Sequence, residues 1–453
     1  MGNNIGKHGA FIDSQKVFSA GEKDNIIKLC DKLKSEKSNE IPLNKFKELV
    51  ELYLPNYISD RLYTQICNLN TLLNDQKNLS TEIFMVSLAH ILKGNVVQRA
   101  HLVLKLATEN KAATPLEMIG FTQAFIDAYF SIIKKSVNLA TWNIKINTDS
   151  DQRLAFHLLA ELFWPNHAAN EGTLPNKEYT EDDIERWLQN SIMTSSIINR
   201  VFHNVFPITP AEERIALPII PLCEKLDWSK FGTVMDLSSL IVLNNNCPSD
   251  LRNVWRLLYS TKLNGESFVR LIRHITYAGP CILIVQEKNG NVFGGFASRT
   301  LFPKSQFQGS ESSYLFSLKP HIRIYHADGN NGNYVYININ QQTLPNCFGF
   351  GGQLNYFGVS VDSNMQTGTS TKCLTYKSPM LSEKSHFDIE SIEVWGVGPE
   401  SSERQHFLQK RFSLLDVDPD VTAMLTLLNK GPHSEGMRED DPNSSTPEIR
   451  NLL

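Results

Sequence analysis

The chain has 453 residues, of which 41% are hydrophobic and 20% are charged, a composition typical of a soluble globular protein. This length allows two or three domains with cores of their own. The formal net charge is -4 at pH 7, which excludes an overall positive field and argues against nucleic acid as a partner.

The seven cysteines are widely spaced and contain no C-x-x-C motif, which argues against a zinc ribbon or a disulfide framework and favours a reducing, cytosolic environment. No paired histidines have the spacing of a helical zinc site, so no metal site is predicted. No apolar run approaches the roughly 20 residues that a membrane-spanning helix needs, and the N-terminus lacks the apolar core of a signal peptide.

Residues 1–19 form a polar N-terminal segment with one candidate modification site. Removal of Met1 from MGNNIGK would expose Gly2, as in the myristoylation pattern M-G-x-x-x-[ST], except that Gly6 stands in place of Ser or Thr. Two interpretations are open: either Gly2 carries myristate, which would make the protein a lipoprotein, or the segment is an unmodified, flexible N-terminus. A single myristoyl chain would give reversible, peripheral membrane attachment.

From residue 20 to residue 230 the apolar residues recur with helical spacing. In the first predicted helix Ile26, Leu29 and Leu33 share one face, and a short polar connection leads to a second helix. This spacing is EF-hand-like, although the loop lacks the alternating oxygen ligands and the central glycine that bind calcium. The region is predicted to be helical throughout, as one unit or two subdomains, with residues 182–206 as one helical stretch.

Residues 231–400 combine helices with strands. Two further helices are predicted at residues 250–261 and 267–276, and short runs rich in β-branched and aromatic residues follow them. The pair Asn289–Gly290 between the first two runs indicates a hairpin with a type I′ turn. Several short strands separated by turns predict a β-sandwich flanked by helices, which places the whole chain in the α+β class.

The glycine-rich stretch GFGGQLNYFG, residues 349–358, raises the question of nucleotide binding. A phosphate loop needs a helix after its glycines, because the helix N-terminus supplies the amides that hold the anion. Here the strand-like run YFGVSVD follows, and no G-K-[ST] occurs in the chain. The glycines are therefore interpreted as positions of positive φ or close backbone approach, and no cofactor is predicted.

Residues 401–453 contain a last predicted helix followed by a polar, acidic tail. An Asp-Pro start and a Lys-Gly-Pro end mark the helix, and its apolar stripe consists of Val421, Met424, Leu425 and Leu428. The stripe is expected either to pack on its own domain or to insert into a groove of a partner.

Dense motifs stand between residues 235 and 398, among them GPCILIV, FGGFAS, FQGSESSYLFSL, FGFGGQLNYFGVSVD and FDIESIEVWGVG. On these motifs the region resembles a TLDc domain. The resemblance implies a sandwich-like domain without an established catalytic site. Its signature positions are Gly294, Gly295, Phe296, Gly351, Gly352, Glu393, Trp395 and Gly396.

The arrangement of the whole chain, with its MGN start, its HILKGN motif and its HSEGMRED tail, resembles an mTOR-associated, lysosomal branch of that family. This resemblance implies binding to the peripheral, ATP-hydrolysing sector of the vacuolar proton pump (V-ATPase). It also implies mTOR-linked nutrient signalling, with the mTOR complex as a further candidate partner. The expected location is the cytoplasm, peripheral on the lysosomal membrane.

Catalysis is the alternative to a binding function. Cys281 with His274, or Cys347 with His321 or His326, are the candidate pairs of nucleophile and base, since such partners need only meet in space. No G-x-S-x-G elbow is present.

Glu393 is the one acidic residue in the strand-like run IEVWGVG, residues 392–398. Beside Trp395 it is interpreted as a general base with a raised pKa, as a residue that points to solvent, or as one that holds a neighbouring loop. Because some TLDc proteins are associated with resistance to oxidation, the alternative function is a redox or hydrolytic enzyme of oxidative-stress protection. The favoured interpretation is a non-catalytic regulator whose TLDc domain docks through the loops at residues 326–333 and 345–352.

Overall fold

The computed structural model describes residues 17–34, 40–74, 79–144, 148–164, 174–209 and 220–404. Helices fill the N-terminal half of the described chain and a large antiparallel sheet fills the rest, which confirms the α+β class. The helices and strands of the first half are α1 (Ala20–Leu33), β1 (Glu40–Ile41), α2 (Leu43–Val50), α3 (Asn56–Asn74), β2 (Leu79–Ser80), α4 (Thr81–Lys93), α5 (Val96–Ala107), α6 (Pro115–Ile133), α7 (Thr148–Phe163), α8 (Glu181–Asn190) and α9 (Ile192–Val205).

Helices α1 to α4 form two helix–loop–helix units joined through their loops. Strands β1 and β2 pair antiparallel, with Glu40 opposite Ser80 and Ile41 opposite Leu79, so the two units face each other in an EF-hand-like arrangement. Within the described residues, no group of three His, Cys, Asp or Glu side chains is placed to hold a metal ion. The loop residues 35–39 and 75–78 lie outside the described chain.

Helix boundaries follow local chemistry. Ser80 accepts a hydrogen bond from the Ile83 amide at the start of α4. The helix ends at Gly94, where a Cβ would lie 2.1 Å from the His90 carbonyl oxygen. The stretch predicted as continuous at residues 182–206 is instead two helices, because the backbone leaves helical geometry at Ser191 (φ -97°, ψ 81°).

By length and composition alone, helix α6 is long and apolar enough to cross a membrane. The expectation that the chain contains no such segment is therefore wrong. More than half of that window, 56%, is buried inside the protein. Phe121, Phe125 and Tyr129 are among its fully enclosed side chains. The helix therefore has the packing of a core helix.

The second half contains short helices and the strands of the sheet. These elements are β3 (Leu222–Cys223), α10 (Leu237–Asn246), β4 (Val254–Ser260), α11 (Thr261–Asn264), α12 (Phe268–Ile275), β5 (Cys281–Glu287), β6 (Val292–Ala297), β7 (Lys304–Gln308), β8 (Tyr314–Lys319), β9 (Arg323–His326), β10 (Val335–Ile337), β11 (Cys347–Phe350), β12 (Val359–Asp362), β13 (Thr367–Ser370) and β14 (His386–Val397).

The strands form two layers that share β14. Its first residues pair with β13 in the layer β7-β10-β11-β12-β13, and its later residues pair with β4 and β5 in the layer that continues through β6, β8 and β9. The layers face each other: a Cβ on Gly295 of β6 would lie 2.5 Å from the ring of Phe350 on β11. Apolar side chains of both layers fill the space between them, as in the predicted sandwich.

Two local predictions are wrong. Residues 250–261, predicted as a helix, contain strand β4, which lies between β3 and β14. Trp255 and Tyr259 are both fully buried and belong to different core clusters, so the strand lacks the alternation that marks a half-exposed one. In the β5–β6 hairpin only Gly290 has positive φ (95°), so the turn is not type I′, which needs two such residues.

The helical half packs on the outer face of the β5-containing layer. Arg153 of α7 donates to the Leu318 carbonyl at 2.7 Å and pairs with Asp236 at 2.5 Å. Trp142 lies with its ring centroid 5.0 Å from that of Trp395 on β14. A single apolar cluster runs from Phe18 through these contacts, so the two halves share one core.

Candidate functional site

Glu393, the acidic residue among the signature positions, is almost completely buried, with 1% of its surface exposed. Its carboxylate accepts hydrogen bonds from the Val234 amide at 2.7 Å, the Thr233 hydroxyl at 2.7 Å and the Trp395 indole at 2.9 Å. Burial raises the pKa of this carboxyl, against the opposing effect of these three donors. Glu393 therefore holds the loop before α10, and its oxygens are engaged by the protein itself.

Trp395 belongs to an indole cluster at the junction of the two halves. The ring centroids of Trp142 and Trp228 lie 5.0 and 6.4 Å from that of Trp395. Trp142 also lies 6.0 Å from Trp228 and 6.1 Å from Trp255. Because Trp395 is fully buried and its N–H is satisfied by Glu393, it contributes to packing and exposes no ring face. The acidic and aromatic signature residues of β14 thus fix the junction.

The signature glycines permit close packing. A Cβ on Gly294 would lie 1.9 Å from the Leu283 carbonyl oxygen, and one on Gly396 would lie 3.1 Å from a guanidinium nitrogen of Arg256. Gly351 and Gly352 have positive φ, 66° and 85°, immediately after β11. Strand β12 follows them, so the stretch 349–358 has no helix N-terminus for a phosphate.

Phe296, the remaining signature residue, is fully buried on β6. Its ring centroid lies 5.0 Å from that of Tyr314 on β8. It is a core residue of the sheet.

The candidate thiol nucleophiles are enclosed. Burial raises the pKa of Cys281 and of Cys347 to about 12 each. Within the described residues no hydrogen bond joins either thiol to a histidine. The rings of His274 and His326 pack on Tyr259 and Tyr314, and His321 is exposed. A thiol that stays protonated and inaccessible is a poor nucleophile.

Three loops at one end of the sandwich form a rigid surface, here called the loop platform: residues 327–333, 351–356 and 373–378. Thr375 is central to it. The Thr375 hydroxyl donates to the Asn331 side chain at 3.0 Å and accepts from the Gly352 amide at 3.1 Å. These bonds hold all three loops in one arrangement.

Further bonds across the loop platform support this geometry. The side-chain amide of Asn333 donates to the Gly352 carbonyl at 2.8 Å, and Lys377 pairs with Asp328 at 3.2 Å. Two leucines nevertheless point outward, since Leu374 is 62% and Leu354 is 37% exposed. These exposed leucines lie on backbone that the hydrogen bonds of the loop platform already hold in place.

The two docking loops predicted from sequence have different positions. The loop at residues 326–333 contributes to the loop platform, whereas the segment at residues 345–352 is largely the buried strand β11. Sequence reasoning missed Leu374 and Leu354, whose exposure arises from contacts between distant loops. Gly2, Val421, Met424, Leu425 and Leu428 lie outside the described residues.

Comparison with known proteins agrees with this architecture. The model of the TLDc domain family matches residues 228–398. The mTOR-associated protein MEAK7 of Gallus gallus is 32% identical over 97% of this chain and 98% of its own length, and that of Homo sapiens is 31% identical over 97% and 99%. Nuclear receptor coactivator 7 of Homo sapiens is 28% identical over 31% of this chain and 14% of its own length. The chain therefore belongs to the family of TLDc-domain proteins that includes MEAK7.

Proposed function

We propose that the chain is a non-catalytic regulator that binds the peripheral sector of the vacuolar proton pump and acts in mTOR-linked nutrient signalling. The observation that carries the signalling part is the match over nearly the whole chain to proteins named as mTOR-associated. The pump as partner follows from the TLDc resemblance. Its site of action would be the cytoplasmic face of the lysosomal membrane.

The buried chemistry supports a binding function. Glu393 is fully engaged in holding a loop, and Cys281 and Cys347 are enclosed with raised pKa values. No observation on the described residues favours the redox or hydrolytic alternative.

The loop platform is the proposed docking surface of the TLDc domain. Its backbone is already ordered by bonds among its own residues, so docking costs little additional conformational entropy. Full burial of Leu374 against the pump would contribute about 1.5–3 kcal/mol before ordering costs. The other proposed contacts are the apolar stripe Val421, Met424, Leu425 and Leu428, for a second pump subunit, and Gly2, for the membrane.

The test is a pull-down of purified full-length protein with detergent-solubilised vacuolar pump. A chain ending at Arg404 would remove the apolar stripe, and Leu374→Asp would introduce a charge into the loop platform. Leu116→Asp is the matched control, because Leu116 is 69% exposed but lies on α6 in the helical half.

We expect the parent and Leu116→Asp to bind alike, and the truncated chain and Leu374→Asp to bind at least tenfold more weakly with unchanged melting temperatures. Equal binding by folded Leu374→Asp would refute the loop platform as the docking surface. Absence of binding by the parent would refute the pump as partner.

A further inference from the structure

The chain leaves the TLDc sheet along a fixed path. After β14 the Val397 amide donates to the Pro280 carbonyl and the Gly398 amide to the Val254 carbonyl, at 2.9 and 2.8 Å. Gly398 has φ 79°, and a Cβ there would lie 2.6 Å from the Leu251 side chain. The direction in which the backbone turns away from β14 is thus set by sterics and by two backbone bonds.

A buried arginine holds this turn from beneath. Arg256 of β4 is 8% exposed, and its guanidinium donates to the carbonyls of Gly398 and Ala278. Both acceptors lie in irregular backbone, where carbonyls lack strand partners. Arg256 thereby ties the turn after β14 to the loop that follows α12.

A second buried arginine, Arg404, holds the chain after the turn. One nitrogen of its guanidinium donates to the carbonyls of Arg273 and Thr276, at 3.1 and 2.5 Å. These carbonyls belong to the last turn of α12, where helical acceptors lack partners and a cation is favoured. Its Nε lies 3.7 Å from the Glu400 carboxylate.

The burial of Arg404 is unusual for an arginine. Only 7% of it is exposed, although it follows the last described strand and arginine is rarely enclosed unless it is paired. Its contacts join the segment after β14 to α12 and complete no strand pair. These contacts therefore hold the backbone that follows β14 against α12.

We propose that Arg404 is a positioning residue that anchors the exit of the C-terminal segment against α12. The anchor fixes the point from which residues 405–453 depart, and so the part of a bound partner that Val421, Met424, Leu425 and Leu428 can reach. This functional consequence rests on the proposed pump binding, whereas the anchor itself does not. Losing it would release residues 398–404 from α12 and lower the effective concentration of the stripe at its docking site.

Hydrogen exchange measured by mass spectrometry on the full chain tests the anchor. We expect Arg404→Ala to accelerate amide exchange in residues 398–404 at least tenfold and to leave residues 389–397 of β14 unchanged. Arg404→Gln, which keeps one donor group, should give a smaller local acceleration and decides the question if the alanine variant fails to fold. Glu403→Gln is the matched control, since Glu403 is an exposed neighbour on the same helical turn, and should exchange as the parent does.

Unchanged exchange at residues 398–404 in the Arg404 variants would overturn the proposal, as would acceleration spread evenly over β14 and α12. Pump affinity gives the second readout. Folded Arg404→Ala should bind the pump several-fold more weakly than the parent. Equal affinity despite faster local exchange would overturn the positioning role, and a parent without pump binding would leave the anchor standing while refuting the proposed function.

Discussion

Replacing Glu393 by alanine is expected to lower the free energy of unfolding by about 2–4 kcal/mol. The alanine would leave three donors without their acceptor: the Trp395 indole, the Val234 amide and the Thr233 hydroxyl. An unsatisfied buried donor costs about 1–3 kcal/mol. Removal of a poorly solvated charge returns part of this cost, since burial already raises the pKa of Glu393.

Glutamine at this position separates hydrogen bonding from charge. Its single side-chain oxygen can replace one carboxylate oxygen, so at most the two bonds to Thr233 and Trp395 survive and the expected cost is about 1 kcal/mol. The pH dependence also changes. Because the folded pKa of Glu393 lies above its unfolded value of about 4.3, the protonated carboxyl contributes stability that is fully present below that pH and lost as pH rises through the folded pKa.

Urea unfolding followed by tryptophan fluorescence, repeated at several values between about pH 4.5 and pH 8, measures both effects. The stability difference between the parent and Glu393→Gln should shrink as pH rises, since only the parent loses this contribution. Glu390→Gln on the same strand is the control, because Glu390 is exposed. A cost below about 1 kcal/mol for Glu393→Ala, or the same pH slope in Glu393→Gln as in the parent, would refute the reasoning.

Three further predictions follow from burial and backbone geometry. Gly351→Ala should cost more than about 3 kcal/mol in a denaturant titration, because its Cβ would lie 2.3 Å from the Cys373 sulfur, whereas Gly329→Ala, also at positive φ but with open space, should cost about 1 kcal/mol; equal costs would contradict this. Trp142→Ala should cost about 3–5 kcal/mol, and unfolding curves of the parent by far-UV circular dichroism and by tryptophan fluorescence should coincide, because the halves share one core; two separate transitions would argue against that core. Native Cys281 should resist alkylation at pH 8 and react only after unfolding, since its pKa is raised to about 12 and it is fully buried; rapid labelling of the native protein, detected by mass spectrometry, would show otherwise.

Periodicity predicts elements well where one face is buried and the other is exposed. In α12 the four apolar positions Phe268, Leu271, Ile272 and Ile275 are the buried ones, as their spacing predicts. Strand β4 is buried on both faces, so its apolar residues have no period of two and were mistaken for a helix. Strand β13, with the sequence TGTS, carries no apolar pattern and was not predicted.

The candidate surfaces were harder to predict because they depend on tertiary contacts. The motif residues around Glu393 could be found from sequence, but its partners Thr233 and Val234 lie far away in the chain. The outward position of Leu374 depends on a hydrogen bond from Thr375 to a loop more than forty residues away, about which sequence spacing says nothing. The burial of Arg404 has no sequence signal, since arginine is normally exposed.

The position of β14 has a consequence for protein synthesis. Among the described strands it is the last to leave the ribosome, yet it lies in the sheet between β4 and β5 and also joins the second layer through β13. Until it emerges, β4 and β5 lack their common neighbour, so their backbone edges stay unpaired and the sandwich cannot close. Folding of most of its sheet therefore waits until this strand has emerged, so a ribosome-stalled chain ending before residue 386 should bind chaperones that the complete chain releases.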